Sequence, residues 1–304
     1  MTAKIVVVGS FNADLVSYME RMPRPGETVH GERFATGAGG KGSNQAVAAA
    51  RLGADVTFIG RVGNDVFANL AYEIWDAEGV KREFVTRDDE VATGVAPILV
   101  DSSGENMIVV VLGANLRLRE SDIDAARAQI AAADMLVVQR EINLEIVPYA
   151  LRTAKEFGVK TILNPAPADG ASRESIQLAD YLTPNEIELE TLNGGEYDDV
   201  VSAARALLTR DDQTAVVTLG AQGARIVRPG ESHLVPPFAV DVVDTTGAGD
   251  TFNAALAVGL SESKALGDAV RFANAAAALC VTKPGAADSA PYRADVDNLY
   301  RSAT

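Results

Sequence analysis

Short apolar runs alternate with stretches of helical periodicity along most of the chain. Residues 5–8, 56–59, 135–138, 161–163 and 216–219 read as buried strands, and helical patterns fill the intervals between them. This rotation predicts a single α/β domain over residues 1–304, built on a sheet whose parallel neighbours are joined by helical crossovers. Ser121, ahead of Asp-Ile-Asp-Ala-Ala-Arg, reads as a helix N-cap whose hydroxyl would accept a free backbone N–H. Two segments break the rotation. Residues 15–36 read as strand, proline-rich turn and strand, and residues 93–112 as a hairpin about Asp101-Ser-Ser-Gly104. Together they would make a small sheet with no core of its own, which must cover either a site on its own subunit or the same sheet of a partner.

Composition narrows the class. With 304 residues and 47% hydrophobic content the chain can bury one large core, and no linker, low-complexity tract or solenoid-period repeat divides it. A formal charge of −15 argues against nucleic acid or an acidic membrane surface as partner, because long-range repulsion opposes both. The lone Cys280 has no intrachain partner and lies in an alanine-rich stretch, so it reads as a core residue in a reducing cytoplasm. The apolar run after Lys4 is too short for a signal-peptide core or a membrane span and reads as the first strand.

Candidate chemistry concentrates in two glycine-rich runs. In Asp244-Thr-Thr-Gly-Ala-Gly-Asp250 the glycines let backbone approach a ligand, and the apolar stretch after Asp250 predicts a helix starting there. A helix N-terminus behind such a turn is an anion seat, with free N–H groups and the positive dipole end facing a phosphate. A carboxylate beside that phosphate fits one role economically, taking the proton of a hydroxyl that attacks it. The second run, Gly37-Ala-Gly-Gly40-Lys41-Gly-Ser-Asn44-Gln, opens a helical stretch over residues 45–52. It fails as a phosphate loop, because Ala35 holds the leading glycine position and Gly42 stands where a magnesium-holding Ser or Thr belongs. Its Gly37-x-Gly39-x-x-Gly42 letters match a dinucleotide fingerprint, yet it lies far beyond the first strand and Asp55 precedes its strand. Asn12, Glu141, Asn164, Asn185 and Gly220 fall just after predicted strand ends, the edge at which doubly wound sheets bind ligands. His30 and His233 lie in neither run.

Taken together, the two runs resemble the paired motifs of the ribokinase-like (PfkB) family of carbohydrate kinases. Gly39-Gly40-Lys41-Gly42-x-Asn44-Gln45-Ala46 is similar to the first motif and residues 244–255 to the second. Gly9-Ser10-x-Asn12-x-Asp14, Thr93-Gly94, Gly113-Ala-Asn115, Asn164-Pro-Ala-Pro, Asn185-Glu-x-Glu188, Thr218-Leu-Gly-x-x-Gly223 and Arg271-Phe-Ala-Asn274 follow in the expected order. The resemblance implies a three-layer αβα sandwich with a mostly parallel central sheet. It also implies a small β-sheet lid, about residues 15–36 and 93–112, that closes over the sugar and carries a homodimer contact. The activity implied is ATP-dependent sugar phosphorylation, with Asp250 as proton acceptor and the N–H groups of Gly247, Ala248 and Gly249 on the transferring phosphoryl group. Asn12, Asp14, Gly40, Lys41, Asn44 and Glu141 would hold the sugar, while Thr218, Gly220, Gly223, Gly249 and Asn274 would contact the nucleotide. Asn185 and Glu188 would sit near the magnesium of Mg-ATP, acting through water. Potassium (K+) would be held by Asp244, Thr246, Cys280, Lys283, Gly285 and Ser289, although Pro284 and Asp288 depart from the Lys-Gly-Ala-Gln form of that loop.

The form of the first motif favours ribose, phosphorylated on O5, over deoxyribose, another sugar or a nucleoside. A dinucleotide oxidoreductase is disfavoured by the misplaced fingerprint. A non-catalytic sugar-binding regulator is disfavoured by the intact Asp250 and anion seat.

Overall fold

The computed structural model describes residues 2–170 and 172–302. The chain opens with β1 (Lys4–Val8), β2 (Asn12–Tyr18) and β3 (Arg33–Gly39), then α1 (Lys41–Arg51), β4 (Asp55–Gly63), α2 (Phe67–Glu78), β5 (Lys81–Asp88), β6 (Gly94–Val100) and β7 (Asn106–Ile108). After a 3-10 turn at Gly113–Arg117 come α3 (Glu120–Ala125), α4 (Arg127–Ala131), β8 (Met135–Val138), α5 (Ile146–Glu156), β9 (Lys160–Leu163), α6 (Arg173–Leu178), β10 (Tyr181–Leu182), α7 (Glu186–Asn193) and α8 (Val200–Leu207). The last part holds β11 (Thr214–Thr218), a 3-10 turn at Gly220–Gln222, β12 (Ala224–Val227), β13 (Ser232–Val235), α9 (Ala248–Ser261), α10 (Leu266–Cys280) and α11 (Arg293–Ser302).

Nine strands form one sheet in the order β13-β12-β11-β10-β9-β8-β1-β4-β5. Every neighbouring pair is parallel except the antiparallel β11-β12-β13 edge. Strict alternation in β1 sends Ile5 and Val7 into a core shared with α1, α2, α9 and α10, and Val6 and Val8 into a second core on α3, α5, α7 and α8. The sheet is thus the middle of three layers. The crossover from β1 to β4 runs on the first face and the return to β8 on the second, so β1 and β8 flank the point where the winding reverses. Loops at their carboxyl ends diverge there and leave a crevice for a ligand.

A separate sheet, ordered β3-β2-β6-β7, grows out of that edge. Asn12 in β2 pairs with Gly39 in β3 on one side and with Gly94 in β6 on the other. Gly94 is glycine for a physical reason: a Cβ there would lie 2.1 Å from Oδ1 of Asn12 and 2.5 Å from Nδ2 of Asn115. Trp75 of α2, fully buried, fastens this region to the core. Its indole N–H donates to Oγ of Ser43 in α1 at 3.0 Å, and its ring meets Phe11 edge-on at 5.6 Å and Phe58 at 4.6 Å.

Three local expectations are corrected. Helix α9 begins at Ala248, so Asp250 lies inside its first turn. Helix α1 begins at Lys41 rather than at residue 45, directly behind Gly40 at φ 89. Ser121 sits inside α3 and does not cap it; the carboxylate of Asp122 instead accepts the N–H of Arg119 at 2.8 Å. Among the described residues no helix is long and apolar enough to cross a membrane.

Candidate functional site

The candidate residues gather where α1 and α9 both point their N-termini at the carboxyl edge of the sheet. Gly9, at the end of β1, and Gly42, in the first turn of α1, cross in backbone contact. A Cβ on Gly42 would fall 2.5 Å from the N of Ser10 and 2.6 Å from Cα of Gly9. The crossing is tied by the N–H of Ser43, which donates to the carbonyl of Ser10 at 2.8 Å. It also brings the loop after β1 against the loop after β8, where Oε2 of Glu141 accepts three donors. These are Oγ of Ser10 at 2.7 Å, the N–H of Lys41 at 3.0 Å and Nδ2 of Asn12 at 3.4 Å. Asn12, Gly40, Lys41 and Glu141 therefore form one wall.

Asp250 stands across from that wall, buried. Its two carboxylate oxygens accept from consecutive side chains of α1, Oδ2 from Nδ2 of Asn44 at 2.9 Å and Oδ1 from Nε2 of Gln45 at 3.0 Å. Burial raises its pKa, with Glu141 adding to the rise, against the opposing pull of Lys41 and the two amides. Burial by itself would lower the pKa of Lys41, but Asp250, Glu141 and Glu188 outweigh it and hold the ammonium more firmly protonated than usual. Lys41 is thus a fixed cation among three carboxylates and not a free surface lysine. Oδ1 of Asn44 is buried with no hydrogen-bond partner, an acceptor aimed into a site that polar ligands would satisfy.

Asp14 lies on β2 beside Gly39, with its carboxyl pushed up to about 7 by burial and by the nearby Glu141 and Asp288. A carboxyl whose folded value is raised binds more protons folded than unfolded, so its contribution to stability is lost as pH rises from about 4 through about 7. Urea midpoints should therefore fall between about pH 4 and pH 7, and Asp14→Asn should flatten that fall. An identical pH dependence in the variant would show that Asp14 does not titrate in this window.

Asn185 and Glu188 cap α7 reciprocally: Oδ1 of Asn185 accepts the N–H of Glu188 at 2.7 Å, and Oε2 of Glu188 accepts the N–H of Asn185 at 2.9 Å. Burial raises the pKa of Glu188, tempered by that N–H and by Lys41. Among the described residues no group of three or more His, Cys, Asp and Glu side chains is arranged to hold a metal ion directly. Asn185 is bridged to Thr218, beyond which Gly220 turns the chain at φ 52. Gly223 and Asn274 meet on one short segment of backbone. A Cβ on Gly223 would strike the carbonyl of Val235 at 2.3 Å, and Nδ2 of Asn274 donates to the carbonyls of Val235 and Pro236 at 3.1 and 2.9 Å. The nitrogen of Asn274 is therefore committed to shaping this segment.

The residues expected around a monovalent cation, with Cys280, Lys283 and Gly285 expected to act through their carbonyls, lie in neighbouring loops, the side chain of Lys283 being exposed. Oδ1 of Asp244 accepts the N–H and hydroxyl of Thr246 at 2.9 and 2.7 Å, and its Oδ2 accepts the N–H of Gly285 at 2.9 Å. Burial alone would raise the pKa of Asp244, but these donors prevail and hold it low. Behind it the thiol of Cys280 lies 3.0 Å from Oγ of Ser289 and 3.8 Å from the carbonyl of Thr246. Burial raises the thiol's pKa, so Cys280 is a packed, un-ionised residue. A carboxylate, carbonyls and a hydroxyl in one loop pair form an oxygen-rich set suited to a hard cation.

A model of the family described as pfkB family carbohydrate kinase matches residues 2–293. The chain belongs to the pfkB family. Within that family it is 43% identical over 296 residues to a ribokinase of Haemophilus influenzae, covering 96% of this chain and 97% of that one. It is 38% identical over 292 residues to a deoxyribokinase of Salmonella typhi, covering 94% and 95%. Its fold superposes with a TM-score of 0.89, at 35% identity and 99% coverage of both chains, on an Arabidopsis thaliana ribokinase complexed with ribose and ATP. In this pfkB chain Asn164, expected at the ligand edge of the sheet, bonds within the site, and so do Ser10, Gln45 and Gln139, for which no role was expected. The sequence signal for them is a buried-type amide or hydroxyl flanking a motif residue, with Gln139 closing the apolar run of β8.

Proposed function

We propose that the chain transfers the γ-phosphoryl group of ATP to O5 of D-ribose, giving D-ribose 5-phosphate and ADP. The carrying observation is the buried Asp250 carboxylate in the first turn of α9, faced by the Lys41 cation and by the amides of α1. The sugar lies against Asn12, Asp14, Gly40, Lys41, Asn44 and Glu141, its hydroxyls meeting acceptors such as the unpartnered Oδ1 of Asn44. Asp250 accepts the proton of the attacking hydroxyl. A loose transition state asks little basicity of it early on, so a carboxylate suffices. Gly247 turns the chain at φ 76; the N–H of Ala248 donates to the carbonyl of Thr245 at 3.3 Å, which leaves the N–H groups of Gly247 and Gly249 to face the charge on the phosphoryl group. Thr218, Gly220, Gly223 and Asn274 frame the nucleotide.

Gly249 separates the needs of the fold from those of the ligand. Its φ is unremarkable and a Cβ there would meet nothing within 4 Å. Gly249→Ala should leave stability unchanged yet raise the KM for ATP by about 10-fold, because the methyl stands where the phosphates approach the helix end. A loss of stability without a change in KM would move the role of this glycine into the fold.

Asn185 and Glu188 fit magnesium held through water and the nucleotide phosphates. The Asp244, Thr246 and Ser289 knot, with Cys280 and Gly285 beside it, fits potassium, which would stiffen the turn leading into α9. The small sheet leaves Phe34, Met107, Ile108, Val109, Val110 and Val111 exposed, a surface that suits a lid closing over the sugar and a homodimer contact, to be checked by light-scattering mass. The free, buried Cys280 accords with a reducing cytoplasm.

The deciding experiment is ATP-dependent phosphorylation of ribose, deoxyribose, fructose and nucleosides, with the phosphate located on the product. It is run with magnesium and potassium, without magnesium, and with potassium replaced by a large inert cation. Preference for ribose with phosphate on O5 supports the whole reading. Preference for deoxyribose, in keeping with the Salmonella typhi relative, would retain Asp250 and reassign the sugar pocket.

A further inference from the structure

We infer that Gln139, acting through Gln45, is a positioning residue that holds the Asp250 carboxylate in its acceptor role. The inference rests on the reading of Asp250 as proton acceptor. Gln45 is almost fully buried, and its amide is committed at every edge. Its Oε1 accepts from Nε2 of Gln139 at 2.6 Å, and its Nε2 donates both to Oδ1 of Asp250 at 3.0 Å and to Oδ1 of Asn164 at 3.1 Å.

An amide can present either nitrogen or oxygen to a neighbour, and the partners decide which. A carboxylate only accepts, so Asp250, with the oxygen of Asn164, takes the nitrogen end of Gln45. Gln139 holds the other end, its Nε2 donating to the oxygen of Gln45 while its own Oε1 stays buried without a partner. Asn164 is set the same way, because its Nδ2 donates to the carbonyl of Thr183 at 3.3 Å and turns its oxygen toward Gln45. The chain of bonds then closes on α9: Oγ1 of Thr183 donates to Oδ1 of Asn253 at 2.5 Å, and Nδ2 of Asn253 donates to the carbonyl of Gly249 at 2.8 Å. Residues at the ends of β8, β9 and β10 are thereby linked to both flanks of Asp250.

The layout has a sequence counterpart. A Cβ on Gly9 would lie 2.2 Å from Oε1 of Gln139, so a glycine at the end of β1 leaves room for this side chain. Asn44 differs from Gln45. Its Nδ2 donates to Oδ2 of Asp250 but its Oδ1 is unpartnered, whereas Gln45 is bonded at both ends. The charged and titratable groups around Asp250 are Lys41 on α1, Glu141 after β8, Glu188 on α7 and Cys280 on α10. None of them supplies the second neutral donor that Gln45 provides.

The test uses Gln139→Met and Gln45→Met in the full chain, each close in volume to the original, with kcat, both KM values and the thermal midpoint measured. Each variant should lose kcat by about 10-fold or more while both KM values stay within about twofold and the midpoint is held. In an Asp250→Asn background, read by single-turnover transfer with enzyme in excess, Gln139→Met should cause no further loss. Unchanged kcat, a KM effect alone, or an equal loss in the Asp250→Asn background would overturn the inference. If Gln139→Met does not fold, Gln45→Met gives the answer alone. Full activity in Asp250→Asn would instead remove the reading beneath it, and that result is seen before the glutamine variants are compared.

Discussion

Replacing Asp250 by asparagine is expected to lower turnover by about 100- to 10,000-fold, the range that a positioned proton acceptor contributes. Sugar affinity should change little. Asparagine keeps the shape of the side chain, and its oxygen can still accept from Gln45. The variant should be at least as stable as the parent, because the carboxylate is buried at a cost that its two amide donors and Lys41 only partly offset. Calorimetric titration with the sugar, thermal melting and a coupled ADP assay read the three quantities separately. Turnover within about tenfold of the parent would remove Asp250 from the chemistry.

The second large effect is expected at Gly42, far from any phosphate. A methyl group there would press on backbone only, 2.5 Å from the N of Ser10 and 2.7 Å from the carbonyl carbon of Gly9, with no flexible side chain able to yield. Overpacking of this kind costs about 1–3 kcal/mol or more, and the strain would part α1 from the loop after β1. That loop carries Ser10 and Asn12, two of the three donors to Glu141. Gly42→Ala should therefore lower the urea midpoint and raise the sugar KM together, by about tenfold for the latter. A variant of unchanged stability would show that the crossing yields more readily than its geometry implies.

The sequence made some of this legible and hid the rest for physical reasons. Buried parallel strands such as β1 and β8 are continuous apolar runs, which periodicity detects. Strand β5 reads Lys-Arg-Glu-Phe-Val-Thr-Arg-Asp at the sheet edge, β13 exposes His233 and Leu234, and β10 is two residues long, so none presents such a run. Asp250, Asn44 and Glu141 could be singled out from motifs, but the contact of Gln139 with Gln45 joins positions 94 apart and leaves no local pattern. Ser121 has the letters of a cap for α3, but Asp122, one residue on, reaches back to the N–H of Arg119. Asn185 and Glu188 show a further limit: one spacing suits both the helix cap seen here and the proposed place beside the nucleotide, and letters cannot separate the two.

The single tryptophan gives the molecule its own optical gauge. Trp75 is sealed from solvent, bonded to the residue that precedes Asn44, and set edge-on to Phe11, which precedes Asn12. Movement of Asn44 or Asn12 would shift a chain neighbour that touches the indole. Binding at the crevice is therefore expected to change the indole emission, excited apart from the seven tyrosines, without label or coupled enzyme.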